Sequence, residues 1–186
     1  MHFDFLVEDL SGKKALEVLL AKIIGLGVHT FTIHRYGGLG HLPKGLKPGQ
    51  DAGTRMLLNQ LPKLLQGYGH THAKYTADYP AVVIVVCDLD KKCLKKFRQE
   101  LDDLLRQCDP RPNARFCLAI EEGEAWLLGD VSAVKAAYPR AKTGILRQYE
   151  NDAICGTWER LADAVYPGGS VELSVVPEKF STNTIV

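Results

Sequence analysis

Carboxylates in three short clusters carry most of the chemistry open to this sequence: Glu8-Asp9, Asp88-Leu89-Asp90 and Glu121-Glu122-Gly123-Glu124. Each follows directly on an apolar run: Phe3 to Val7, Ala81 to Cys87 and Phe116 to Ile120. Carboxylates brought to one place repel one another unless a proton or a cation intervenes. For an all-oxygen donor set the natural cation is Mg²⁺ or Mn²⁺, and Mg²⁺ commonly pairs one or two carboxylates with substrate phosphates. Residues i and i+2 at a strand end point to one side, so Asp88 and Asp90 can face a common point. A divalent-metal site built from Glu8, Asp88 and Asp90, with Glu121 and Glu124 beside them, is therefore the expectation. The plainer reading of Glu121, Glu122 and Glu124 is as acids at a helix N-terminus, where the helix dipole favours them.

Other reactive types offer less. His34 on an apolar run reads as a satisfied core residue, and His70 and His72, in a Gly/Thr stretch, read as exposed. Lys44 and Lys47 could meet a phosphate, but a solvated loop is the plainer reading. Gly37-Gly38-Leu39-Gly40 is too short for a nucleotide-binding fingerprint, and Ser11 lacks the GxSxG setting of a nucleophile elbow.

The elements that must position these acids alternate between strand and helix. Phe3 to Val7 reads as a strand. Ser11 then serves as N-cap of a helix over about Lys13 to Ile24, with Gly25 and Gly27 as its stop. His29 to Tyr36 is a second strand. The Gly/Pro/Lys-rich stretch 37–53 is a long loop, of the kind that is often functional. A helix over about Thr54 to Gly67 follows, which Pro62 should kink or interrupt. Ala81 to Cys87 is a continuous, largely β-branched run, as expected of a central strand buried on both faces. Leu94, Phe97, Leu101, Leu104, Leu105 and Cys108 recur at helical spacing, Asp109-Pro110 closes that helix, and Phe116 to Ile120 is a fourth strand. Thr157 to Val165 reads as helical and stops at Tyr166-Pro-Gly-Gly169.

This order predicts an α/β, Rossmann-like, mostly parallel sheet of about four strands flanked by helices. In such a sheet ligands bind at the carboxyl ends of the strands, where the three acidic clusters fall. At 186 residues one domain is expected, with a core over about 3–130, a helical C-terminal extension over about 131–170 and a tail over 171–186. A domain of this size buries roughly 70% of the surface its unfolded chain exposes, enough for a self-sufficient core.

Composition narrows the function classes. A formal net charge of +1 gives no global case for nucleic-acid binding, although a metal can neutralise phosphate locally. The basic cluster Lys91, Lys92, Lys95, Lys96 and Arg98 is interrupted by Glu100, Asp102 and Asp103, and reads as a solvated helix face. The longest apolar run falls far short of the about 20 residues that span a bilayer, and the N-terminus has no signal-peptide pattern. The five cysteines include no CxxC pair and suit a reducing cytoplasm, with Cys87 and Cys117 as small core residues.

Phe5-Leu6-Val7-Glu8 followed by Val85-Val86-Cys87-Asp88-Leu89-Asp90 resembles the Toprim domain, the metal-binding fold of topoisomerases, primases and overcoming-lysogenization-defect nucleases. A closer likeness is to a bacterial Toprim-like family of unknown function found beside ATPases in defence loci. That likeness extends through Val7 to Gly12, Ile33 to Gly38, Leu42 to Lys47, Ala119 to Asp130, Tyr149 to Asp152 and Gly156 to Glu159, over roughly 3–170. Many Toprim proteins have glycine after the glutamate, where this chain has Asp9. The resemblance implies that Glu8 is a metal ligand or a general acid/base and that Asp88 and Asp90 are the metal-binding pair. Glu121 and Glu124 match the family's acidic stretch. It further implies a Mg²⁺- or Mn²⁺-dependent nuclease of a defence or repair system, with Lys91 or Lys92 offsetting phosphate charge. The alternative is a non-catalytic Toprim-like subunit or sensor that docks on an ATPase partner. A small-molecule phosphotransferase is disfavoured, because Asp88-Leu89-Asp90-Lys91-Lys92 lacks the aspartyl-nucleophile pattern.

Overall fold

A computed structural model describes residues 1–24, 27–43, 55–152 and 156–175. Four strands, β1 (His2–Val7), β2 (Thr30–Arg35), β3 (Ala81–Asp88) and β4 (Ala114–Ala119), form one all-parallel sheet in the order β2-β1-β3-β4. The helices are α1 (Leu10–Ile23), α2 (Leu57–His72), α3 (Leu94–Arg106), α4 (Glu124–Leu128), α5 (Val131–Ala137), α6 (Thr143–Leu146), α7 (Thr157–Val165) and α8 (Gly169–Val175). The α/β expectation holds, including a helical C-terminal part.

The chain divides into two compact units. The first comprises 1–87 and 93–118, the second 88–92 and 119–186. In the first unit β1 pairs with β2 from His2↔Thr30 to Val7↔Arg35, and with β3 from His2↔Ala81 to Val7↔Val86. Side chains alternate across a strand, so Phe3, Phe5 and Val7 share one face. That face packs with Leu16 and Leu20 of α1 and with Phe31, Ile33, Ile84 and Val86. Position 4 therefore points to the other face. β3 is interior to the sheet, as its β-branched run predicts, with Ala81, Val83, Val85 and Cys87 buried on one face and Ile84 and Val86 half-buried on the other. In the second unit Leu128, Val134, Ala141, Leu146, Leu161 and Ala164 form a separate small core.

Several expectations need correction. The N-cap of α1 is Asp9, whose Oδ1 accepts the Gly12 N–H at 2.7 Å, and Ser11 instead donates its hydroxyl to Asp9. Asp is as good a cap as Ser, and the chain turns two residues earlier. Helix α2 starts later than expected, runs to His72 and passes through Pro62 without interruption. Leu57, Leu58, Leu61, Pro62 and Leu65 are all buried, and their burial outweighs the roughly 3 kcal/mol that an interior proline costs. Cys117 is exposed, on the same face of β4 as the exposed Arg115, rather than a core residue. The imidazole of His72 is only 9% exposed. Residues 169–175 are helical, not part of a tail. Lys44, Lys47, Gly25, Cys155, the rest of the tail and most of the 37–53 loop lie outside the described residues.

Candidate functional site

Asp88, Asp90, Glu121 and Glu124 belong to the second unit, and Glu8 to the first. Asp88 is the last residue of β3, and the chain turns there because the next residues pair with the continuation of β4. Leu89 donates its N–H to the Ala119 carbonyl, and Asp90 to the Glu121 carbonyl, both at 2.9 Å. This latch holds two acidic residues in the left-handed region, Asp90 at φ 49° and Glu121 at φ 69°. Non-glycine residues there cost about 1–3 kcal/mol each and persist only where the surroundings over-determine them. Such strain clusters at functional sites, and here it falls on two of the predicted ligands.

The rest of the acidic segment is arranged around the same turn. A Cβ built on Gly123 would lie 3.8 Å from Asp88 Oδ1, so the Asp88 carboxylate rests beside the Gly123 backbone. Glu124 opens α4. Glu121 is buried at 6% exposure, while Asp90 is exposed. Tyr149 stands near Glu121: burial raises the Tyr149 hydroxyl pKa above the ordinary value, and the charges of Glu121 and Asp152 add to the rise. Lys92 Nζ meets Asp90 Oδ2 at 3.2 Å, so Lys92 is the lysine beside the Asp88/Asp90 pair. Lys91 is exposed.

Glu122 has a structural task. Its Oε2 accepts both the Thr157 hydroxyl and the Trp158 N–H at 2.8 Å. The residue before α7 is Gly156, at φ 85°, which has no side chain to cap the helix. Glu122 supplies that cap from 35 residues away.

In the first unit, Glu8 directly follows β1 and is half-buried; its carbonyl accepts the Gly38 N–H at 2.7 Å. Among the described residues no three His, Cys, Asp or Glu side chains stand arranged to hold a metal ion. Mg²⁺ asks less than that, since one or two carboxylates with water and a phosphate suffice. Asp88, Asp90, Glu121 and Glu124 offer only hard oxygen, the donor type that Mg²⁺ takes.

A second cluster escaped the sequence reading. Asp4, buried on β1, is met by three imidazoles: His2 Nε2 at 3.5 Å, His34 Nε2 at 3.3 Å and His72 Nε2 at 3.4 Å. The Tyr68 hydroxyl also reaches Asp4, at 3.5 Å. Burial, then the Asp4 charge, raises the Tyr68 hydroxyl pKa well above its ordinary range, so it remains a proton donor. An aspartate inside an otherwise apolar strand was the available signal.

Fold and site together define an α/β protein with a four-stranded parallel sheet and an acidic, strained turn at the end of β3. No protein-family model, curated protein or solved structure matches the chain. Among the described residues no helix is long and apolar enough to cross a membrane.

Proposed function

We propose that this chain is a Mg²⁺- or Mn²⁺-dependent nuclease, hydrolysing phosphodiester bonds in a cytoplasmic defence or repair setting. The observation that carries the reading is the acidic turn, where Asp90 and Glu121 are both held at positive φ and joined by a backbone hydrogen bond. Backbone strain of this kind clusters at active sites and ligand clamps. Asp88 and Asp90 would hold the cation, with Glu121 and Glu124 as further oxygen donors. The cation supplies Lewis acidity to a phosphate oxygen. Of the two lysines, Lys91 and Lys92, that could offset phosphate charge, Lys92 is the one beside Asp90. Glu8 is assigned as a ligand or proton carrier on the Toprim resemblance. The test is cleavage of single- and double-stranded DNA and RNA with Mg²⁺ or Mn²⁺. Wild type should cleave and Asp90→Asn should lose at least about 100-fold, the scale of a lost electrostatic contact to the reacting group. Equal metal-dependent cleavage by Asp90→Asn would sink the assignment.

A second reading, a non-catalytic subunit that docks on an ATPase, draws on a different observation. In the second unit Trp126, Leu127 and Trp158 are 50%, 47% and 38% exposed. Large exposed aromatics are characteristic of protein interfaces. A chain that co-purifies with an ATPase and cleaves nothing in its company would favour this reading.

A further inference from the structure

We propose that His2, Asp4, His34 and His72 are the ligands of a structural transition-metal site, of the type Zn²⁺ takes, which ties β1, β2 and the last turn of α2 together. The site lies wholly in the first unit and is independent of the acidic turn at the end of β3.

Four observations converge on it. The donor set is three imidazoles and one carboxylate, which suits Zn²⁺ and its neighbours in the first transition row rather than Mg²⁺. The three Nε2–carboxylate distances run from 3.3 to 3.5 Å. Two of these approaches are to Asp4 Oδ1 and one is to Oδ2, so the carboxylate is the hub on which the three imidazoles converge. His72, with a side chain 91% buried, has no hydrogen bond on either ring nitrogen, and its 3.4 Å approach to Asp4 lacks hydrogen-bond geometry. A buried imidazole without a hydrogen bond calls for an explanation, and a metal on Nε2 supplies one. Finally, His2 Nδ1 bonds the Thr30 hydroxyl at 2.7 Å, and that hydroxyl also meets Tyr79 Oη at 2.8 Å. A partner on the far nitrogen that aims Nε2 at the metal is the usual support of a ligating histidine.

As they stand the four groups do not surround one point; each imidazole approaches Asp4 separately. Closing the site needs the side chains to adjust around a bound ion, and His34, with a side chain 42% exposed, has the room to do so. Four protein ligands leave no open position, which makes the site structural rather than catalytic.

Zn²⁺ alone is the probe, titrated calorimetrically into the full chain, with Co²⁺ for the visible band of a four-coordinate site. One equivalent should bind tightly, above any weaker binding at the acidic turn. His34→Ala and Asp4→Asn should each weaken binding by more than about 100-fold, and Thr30→Val by about 10-fold, on the scale of a lost supporting hydrogen bond. Asp88→Asn should keep that tight equivalent and lose only the weaker binding, so loss of this site and loss of the proposed nuclease are separately visible. Since His34 is partly exposed, His34→Ala should fold, which circular dichroism checks. Imidazole ¹⁵N shifts should move for His72 on metal addition. Absence of saturable Zn²⁺ binding, or wild-type affinity in His34→Ala, would overturn the proposal.

Discussion

Two glycines on one helix respond in opposite directions to the same substitution. Gly67 and Gly69 both lie in α2, where alanine should be favoured over glycine by about 0.8–1.0 kcal/mol on backbone entropy. A Cβ at Gly67 meets nothing within 4 Å. A Cβ at Gly69 would stand 1.9 Å from the Pro110 carbonyl oxygen and 3.0 Å from its carbon. That oxygen would have to withdraw by about 1.5 Å to reach the 3.4 Å of ordinary contact. It belongs to backbone that is also tied to α2, because the Gln66 side chain donates to the Asp109 carbonyl and accepts the Asp109 N–H. Overpacking against such a group costs about 1–3 kcal/mol, with the upper end expected where backbone must move. Gly67→Ala should therefore raise stability by about 1 kcal/mol, and Gly69→Ala should lower it by about 2 kcal/mol after the propensity gain. For a chain of this length that is a melting-temperature rise of roughly 2–4 °C against a fall of roughly 4–8 °C. Differential scanning calorimetry of the two variants beside wild type reads both. If Gly69→Ala were stabilised like Gly67→Ala, the last turn of α2, which brings Tyr68 and His72 to Asp4, would not be seated on the 110 turn.

Capping and titration add three expectations. Asp9→Ala should cost about 1 kcal/mol by removing the N-cap of α1, while Ser11→Ala costs much less; urea denaturation distinguishes them. Glu122→Ala should cost about 1–2 kcal/mol and speed hydrogen exchange of the Trp158 amide, since Thr157 and Trp158 lose their shared acceptor. Burial pushes the Tyr36 hydroxyl from 10.0 up to about 12. A pKa raised on folding adds stability that is whole below pH 10 and drains away as pH rises towards 12. Tyr36→Phe should flatten that decline in alkaline unfolding curves, and an unchanged slope would contradict the assignment.

The legible parts of the fold were those that repeat a local pattern. Thr157 to Val165 is a helix at its expected bounds, and the β-branched run at Ala81 is the interior strand it resembled, because helical spacing and two-faced burial are written in adjacent residues. The start of α1 was missed by little, two good capping residues standing two apart. Pro62 was misread because the burial that offsets its cost comes from elsewhere in the chain. The acidic turn was visible as a DxD after a strand, but its positive φ angles depend on the pairing of residues 89 and 90 with 119 and 121. Asp4 with His2, His34 and His72 was invisible for a like reason. His2 shares its strand with Asp4, but His34 and His72 lie 30 and 68 residues on, and only the β1–β2 register and the length of α2 bring them to it. Glu122 looked like one more acid of a cluster, yet it caps a helix 35 residues away.

The central claim, a divalent cation held by the acidic turn, is tested most directly by calorimetric titration of Mn²⁺ and Mg²⁺ into wild type, Asp88→Asn and Glu8→Gln. Saturable binding in wild type that Asp88→Asn abolishes is the predicted result. Glu8→Gln beside them tests the ligand role that the Toprim resemblance gives Glu8, which a loss of binding supports and unchanged binding contradicts. Mg²⁺ binding that survives Asp88→Asn undiminished would contradict the claim.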